Sequence, residues 1–393
     1  MPFGYLITVL FIEIGALVAL SPPPRRGRLG GIAFRVGVGF NELPGPALLF
    51  LIGSTVLAFA QGDIESPAAW GVVGAAGLSA VLLCIILWRG LETPIAVERA
   101  LTRGLGETNG HFNKEREHRA RYWLGLLQSV FVPFLLRRTD VERTRDVSYG
   151  PEGTRNLLDV YRSVSPTAGA PILIYWHGGG YYSGVKNLAA LPLLYRMAGR
   201  GWVCFSANYR LRPVARFEDH MIDAKRAIAW VRQHAGDYGA DPDRLIVSGS
   251  SAGGHLASIS ALTPNDPRFQ PGFEDERTDV AAAISLGGYY GDYYGTGNDG
   301  QTYTSPLDYD TSGAPPFFIA HGTRDTMVPI SQARQLVAHL RSGSHNPVVY
   351  AELPYGQHSF DLVRSPRFEA VIDGIEVFTD WLCRSQHSES RPQ

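Results

Sequence analysis

Cysteine is scarce in this chain. Cys84, Cys204 and Cys383 are the only three in 393 residues, too few and too far apart for a disulfide framework or a cysteine-based zinc site. Charge of one sign is also missing. With 36 basic and 37 acidic residues the formal net charge is -1, which leaves no basic field of the kind that holds nucleic acid. Charge of either sign is thin at 19%, below the roughly one quarter usual in soluble domains, so part of the chain is expected to avoid water. There is no Gly-X-Y period and no internal repeat. No Walker, GxGxxG or HExxH pattern stands in a supporting context, so neither a metal nor a cofactor is expected.

What the chain does have is hydrophobicity, gathered at its front. Residues 2–20 carry one charge, Glu13; residues 43–62 and 67–88 carry none. A helix needs roughly 20 mostly apolar residues to cross a bilayer, and all three runs reach that length. The first has no basic leader and no clear A-x-A site, so it reads as a retained span rather than a signal peptide. Arg25, Arg26, Arg28 and Arg35 lie in the 21–42 segment, read as a loop, whereas the 63–66 loop offers only Asp63 and Glu65. Arg89, Arg99, Arg103, Lys114, Arg116, Arg119 and Arg121 follow the third run. The positive-inside rule then puts the N-terminus outside and everything after residue 89 in the cytoplasm. Residues 122–136 are apolar but short, interrupted by Pro133 and flanked by arginines. They read as an interfacial helix or a lid; a fourth span would move the remainder of the chain outside.

From about residue 141 the pattern becomes one of short apolar runs alternating with helical ones. Strands are expected at RTRDVSYG, RNLLDVYRS, 171–176, 202–208, 244–249, 282–288, 316–321 and 348–353. Helices are expected near 188–199, 217–236, 252–262, 331–342 and 366–384. Such alternation implies an α/β fold with a mostly parallel sheet covered on both sides. The organisation is thus a membrane module over 1–90, a basic, amphipathic linker or lid over 91–140, a catalytic domain over 141–386 and a tail over 387–393.

Four stretches carry chemistry. Gly249-Ser250-Ser251-Ala252-Gly253 joins an expected strand to an expected helix, the setting in which a G-x-S-x-G turn presents a nucleophile, here Ser251. His177-Gly178-Gly179-Gly180 follows another strand, and backbone N–H groups of Gly178 and Gly179 would join that of Ala252 as an oxyanion hole. Asp325 and His358 each follow a strand, which gives the order Ser, Asp, His. In open α/β sheets such loops converge at the carboxyl ends of the strands. His255 reads as a packing or local capping residue. Asp219, His220 and Asp223 read as a solvated or buttressing helix face, and Asp292 as a loop residue able to line substrate.

HGGG, NYRLRP (208–213), GSSAGG, HGTRDTMVP and GQHSF together resemble the esterase and lipase group of α/β-hydrolases related to hormone-sensitive lipase. The resemblance covers roughly residues 141–385. It implies the α/β-hydrolase fold, serine carboxylesterase or lipase activity and a catalytic triad of Ser251, Asp325 and His358. Ser250 stands where the family usually has an acidic residue and Asn208 where it usually has Asp, departures that lean toward carboxylesterase and methylesterase relatives. The expected partners are a small lipophilic ester and membrane lipid. An amidase or acyltransferase could use the same triad, and a ligand-binding membrane protein could reuse the fold without catalysis.

Overall fold

The computed structural model describes residues 3–23, 27–106, 127–131, 133–134, 138–293 and 303–389. Eight strands form one sheet: β1 (Val141–Ser148), β2 (Leu157–Ser163), β3 (Ala170–Trp176), β4 (Val203–Ala207), β5 (Ala240–Ser250), β6 (Ala282–Leu286), β7 (Phe317–Gly322) and β8 (Val348–Leu353). Their order is β1-β2-β4-β3-β5-β6-β7-β8. β2 runs antiparallel to both β1 and β4, and every other pairing is parallel. Strands β3, β4 and β6 carry no charged residue because both of their faces are buried. On β3, Ile172, Ile174 and Trp176 enter one core and Leu173 and Tyr175 the other.

The helices covering the sheet, numbered after the five N-terminal ones, are α6 (Leu191–Gly199), α7 (Phe217–His234), α8 (Ala252–Leu262), α9 (Ile330–Gly343) and α10 (Pro366–Glu389). Helices α7, α8 and α9 contribute to one core; α6 and α10 contribute to the other. This is the α/β-hydrolase arrangement expected from the alternation of runs.

Ahead of it lie α1 (Phe3–Leu20), α2 (Gly27–Glu42), α3 (Pro44–Ala60), α4 (Pro67–Gly90) and α5 (Thr93–Leu105). Among the described residues two helices, Phe3–Leu20 and Pro67–Leu105, are long and apolar enough to cross a membrane. A third crossing requires Arg28–Glu42 and Pro44–Ala60, bent by 87°, to count together. Ile7, Leu10, Phe11, Ile14 and Leu17 of α1 are exposed, an apolar face that lipid can cover.

One reading is corrected here. The 21–42 segment is not simply a polar loop, because Gly27–Glu42 is helical. Its glycines weaken the helix signal, yet they permit close approach: a Cβ on Gly37 would lie 3.1 Å from Val18 of α1. A second structural fact concerns the 91–140 stretch, read as a linker or lid. Helix α5 packs into the hydrolase core through Val97, Ala100 and Leu101. Most of the 122–136 stretch lies outside the described residues. Of the part that is described, Val130 packs where a Cβ on Gly45 would fall, and Gln128 accepts a hydrogen bond from Arg364 at 2.8 Å.

Polar contacts tie the N-terminal helices to the hydrolase domain. Arg89 and Arg324 both donate to the Leu20 carbonyl, and both guanidinium groups lie over the Tyr355 ring. Glu42 pairs with Arg367 and accepts from the Ser365 hydroxyl at 2.7 Å, with Glu42 and Arg367 only 2% and 1% exposed. Removing one partner leaves the other charge buried and alone. Glu42→Ala is therefore expected to cost about 3–5 kcal/mol of stability, read as a lower midpoint in denaturant or thermal unfolding of the full chain in detergent. An unchanged midpoint would mean that the pair does not hold the two parts together.

Candidate functional site

Ser251 sits between the end of β5 and the start of α8 with φ 53° and ψ -116°, a strained conformation for a residue with a Cβ. The flanking glycines make the turn possible. A Cβ on Gly249 would lie 2.2 Å from the Gly253 carbonyl oxygen, and one on Gly253 would lie 2.0 Å from that of Trp176. Neither position has space to give. Gly253→Ala is expected to cost at least about 3 kcal/mol, seen as a lowered unfolding midpoint with loss of active protein.

Three loops at the carboxyl ends of β5, β7 and β8 bring Ser251, Asp325 and His358 together. His358 Nε2 lies 2.9 Å from Ser251 Oγ, and His358 Nδ1 lies 2.7 Å from Asp325 Oδ2. The Asp325 side chain is buried, and its Oδ1 accepts the backbone N–H groups of Met327 and Val328 at 2.8 and 2.7 Å. His321 Nε2 donates to the Val328 carbonyl at 3.0 Å and lies 3.3 Å from Asp325 Oδ2. Burial lowers the pKa of His321, which favours the neutral ring. Gln357 joins the two loops, accepting from the N–H groups of Thr326 and His358 at 2.7 and 2.8 Å.

The glycine loop lies against the serine. A Cβ on Gly178 would come within 3.1 Å of Ser251 Cβ, and Gly179 has φ +125°. Gly178, Gly179 and Gly180 line the same pocket as Ser251, while Ala252 opens α8. His177 anchors this loop. Its Nδ1 donates to the Gly178 carbonyl at 2.7 Å, and its ring stacks on Tyr209, whose hydroxyl donates to the His177 carbonyl at 2.8 Å. Burial pushes the His177 pKa down to about 4, so the ring stays neutral at ordinary pH.

Other residues singled out in the sequence have structural places. His255 is buried, with Nδ1 2.6 Å from the Tyr181 hydroxyl. His220 is buried too, bonded to the Arg210 carbonyl and the Tyr293 hydroxyl, so the solvated alternative for it is corrected in favour of buttressing. Arg210 clamps Asp219 and Asp223, the second of them buried. Asn208 accepts from the Lys186 N–H at 2.7 Å and donates to the Thr154 carbonyl at 2.9 Å. Asp292 offers its carbonyl to the Tyr289 hydroxyl at 2.6 Å. Among the described residues no group of three or more His, Cys, Asp or Glu is placed to hold a metal ion.

Sequence reasoning missed two features. The first is a buried cluster beside Ser251: Asp361 accepts from the Ser250 hydroxyl and, at 3.2 Å, from that of Tyr175. Burial raises the pKa of Asp361. The serine in the place usually held by an acid is thus supplied with a carboxyl from the histidine loop. The second is that Phe34 and Arg35 of α2 line the pocket, which has a volume of about 590 Å³. No local motif signals either feature, since each depends on segments far apart in sequence.

Residues 158–291 match the BD-FAE family. The chain is 36% identical to the "Probable carboxylic ester hydrolase LipM" of Mycobacterium tuberculosis, over 99% of this chain and 95% of that protein. It is 40% identical to "Esterase LipQ" of the same organism, over 65% of this chain and 66% of that one. Among solved structures it is similar to a thermophilic esterase of Thermogutta terrifontis with butyrate bound, at 26% identity and a TM-score of 0.52, covering 63% of this chain and 94% of that one. The same esterase phosphonylated by cyclosarin matches with a TM-score of 0.53, again at 26% identity, over 63% and 95%. The fold, the motifs and these relatives agree: the chain belongs to the α/β-hydrolase esterases related to hormone-sensitive lipase and is a serine hydrolase acting on carboxylic ester bonds.

Proposed function

We propose that the chain is a membrane-anchored carboxylesterase of lipophilic esters that works through an acyl-enzyme. Ser251 Oγ attacks the ester carbonyl as His358 Nε2 takes its proton, and Asp325 holds the Nδ1–H tautomer and steadies the imidazolium. Backbone N–H groups of Gly178, Gly179 and Ala252 donate to the oxyanion. His358 returns the proton to the departing alcohol. Water, deprotonated by His358, then attacks the acyl carbonyl and releases the acid, restoring Ser251. The observation that carries this reading is the unbroken chain from Ser251 Oγ through His358 to Asp325.

A preference for lipophilic esters is supported by the apolar wall of the pocket, where Phe34, Leu188, Leu286, Met327 and Leu362 stand, and by its nearness to the apolar N-terminal helices. We place three crossings, at α1, at the bent α2–α3 pair, of which α3 carries the apolar run, and at α4, with the catalytic domain, residues 141–386, in the cytoplasm. A panel of nitrophenyl esters is expected to show higher kcat/KM for medium and long acyl chains than for acetate. A preference for acetate would remove the lipophilic reading. A reporter active only in the cytoplasm, fused after Gln393, is expected to give signal. Strong signal from a reporter active only outside would invert the topology.

A further inference from the structure

The pocket has a wall that the catalytic domain does not supply. Phe34 and Arg35 belong to α2, yet they line the same cavity as Ser251 and His358. The Phe34 ring centroid lies 6.4 Å from that of His358. The placement of α2 is fixed by the fold. Its last residue is tied into the catalytic domain by the buried Glu42–Arg367 pair and the Ser365 hydroxyl. At its other side Gly37 packs on Val18.

The polar groups on the pocket wall are unequal. Asp361 is engaged by Ser250 and Tyr175, and the His358 ring is held between Ser251 and Asp325. His177 is neutral and bonded to the Gly178 carbonyl. Arg35 differs: it is exposed at the mouth, and among the described residues no carboxylate is paired with it. A guanidinium is always charged and matches a carboxylate or phosphate with a two-pronged set of donors. The apolar residues beside it suit a hydrocarbon chain.

We propose that α2 completes the substrate site, with Phe34 flanking the acyl chain beside His358 and Arg35 binding an anionic group at the mouth, so that preferred substrates are amphipathic esters bearing a negative charge. This rests on Ser251 being the nucleophile, and the test separates the two. The anionic group has two sources, the headgroup of a lipid or a free carboxylate on a soluble ester, and both meet the same guanidinium.

The experiment uses the full chain in detergent micelles and two matched substrate pairs. The soluble pair is the 4-nitrophenyl monoester of suberic acid and its methyl-capped neutral twin. The lipid pair is lysophosphatidic acid and the neutral monoacylglycerol with the same acyl chain. Wild type is expected to favour the charged member of at least one pair by about tenfold in kcat/KM, the scale of one charge-assisted hydrogen bond. A preference in the lipid pair alone assigns the anion to a headgroup; one in the soluble pair alone assigns it to a free carboxylate. Arg35→Gln should bring the ratio near one, Arg35→Lys should keep part of it, and Arg35→Glu should reverse it. Fluorophosphonate labelling of every variant reports whether the site has folded. Equal rates in wild type, or a ratio unchanged in labelled Arg35→Gln and Arg35→Glu proteins, would overturn the role of Arg35 and leave the nucleophile untouched. A wild-type protein that is neither labelled at Ser251 nor active would overturn both.

Discussion

Ser251→Ala is expected to abolish labelling by fluorophosphonate and to lower ester turnover on the order of 10⁵-fold or more, because members of a nucleophile–base relay act as a unit. The size follows from what is removed. On the proposed mechanism no acyl-enzyme can form without Oγ, and the proposed oxyanion donors and binding alone would leave only a small residual rate over water. The alanine itself loses no packing of note, so folding should persist. Ser250→Ala is the informative control. Ser250 Oγ is turned toward Asp361 and Tyr175 rather than toward His358, so its removal disturbs the elbow without deleting the proposed attacking atom. Steady-state kinetics on a nitrophenyl ester decide between them. A larger loss in Ser250→Ala than in Ser251→Ala would show that the wrong serine has been named.

Asp325→Asn should leave the fold in place and cost on the order of 10⁴ in kcat, the loss seen when a serine protease suffers the equivalent change. Oδ1 can still accept the Met327 and Val328 N–H groups, so the loop keeps its anchor. What changes is the partner of His358 Nδ1. An amide N–H directed at that nitrogen favours the tautomer with the proton on Nε2, which cannot take a proton from Ser251. Circular dichroism and kcat measured side by side separate this from unfolding. A benign Asp325→Asn alongside a crippling Asp361→Asn would move the orienting role to the carboxyl bonded to Ser250 and Tyr175.

Much of this protein could be read from sequence where local backbone chemistry decides the outcome. The turn at Ser251 needs glycine on both sides because carbonyl oxygens of Gly253 and Trp176 occupy the space a Cβ would take. The strands stand out as apolar runs because both faces of the sheet are covered. Helix α2 was hidden for the opposite reason. Glycines and arginines gave it the look of a loop, and the neighbours that hold it, α1 and Arg367, lie elsewhere in the chain. Helix α5 falls within the stretch whose sequence suggests a linker or lid, since nothing in its own residues tells that Val97 and Leu101 will meet the core. The contact of Asp361 with Ser250 is beyond any motif, because it joins residues 111 positions apart.

The most direct test of the account is a peptide map of the full-length protein after reaction with a fluorophosphonate. Mass spectrometry is expected to find one adduct, on Ser251, with Ser250 and every other serine unmodified. An adduct confined to another residue, or none at all from protein that still hydrolyses esters, would contradict the assignment of Ser251 as the nucleophile.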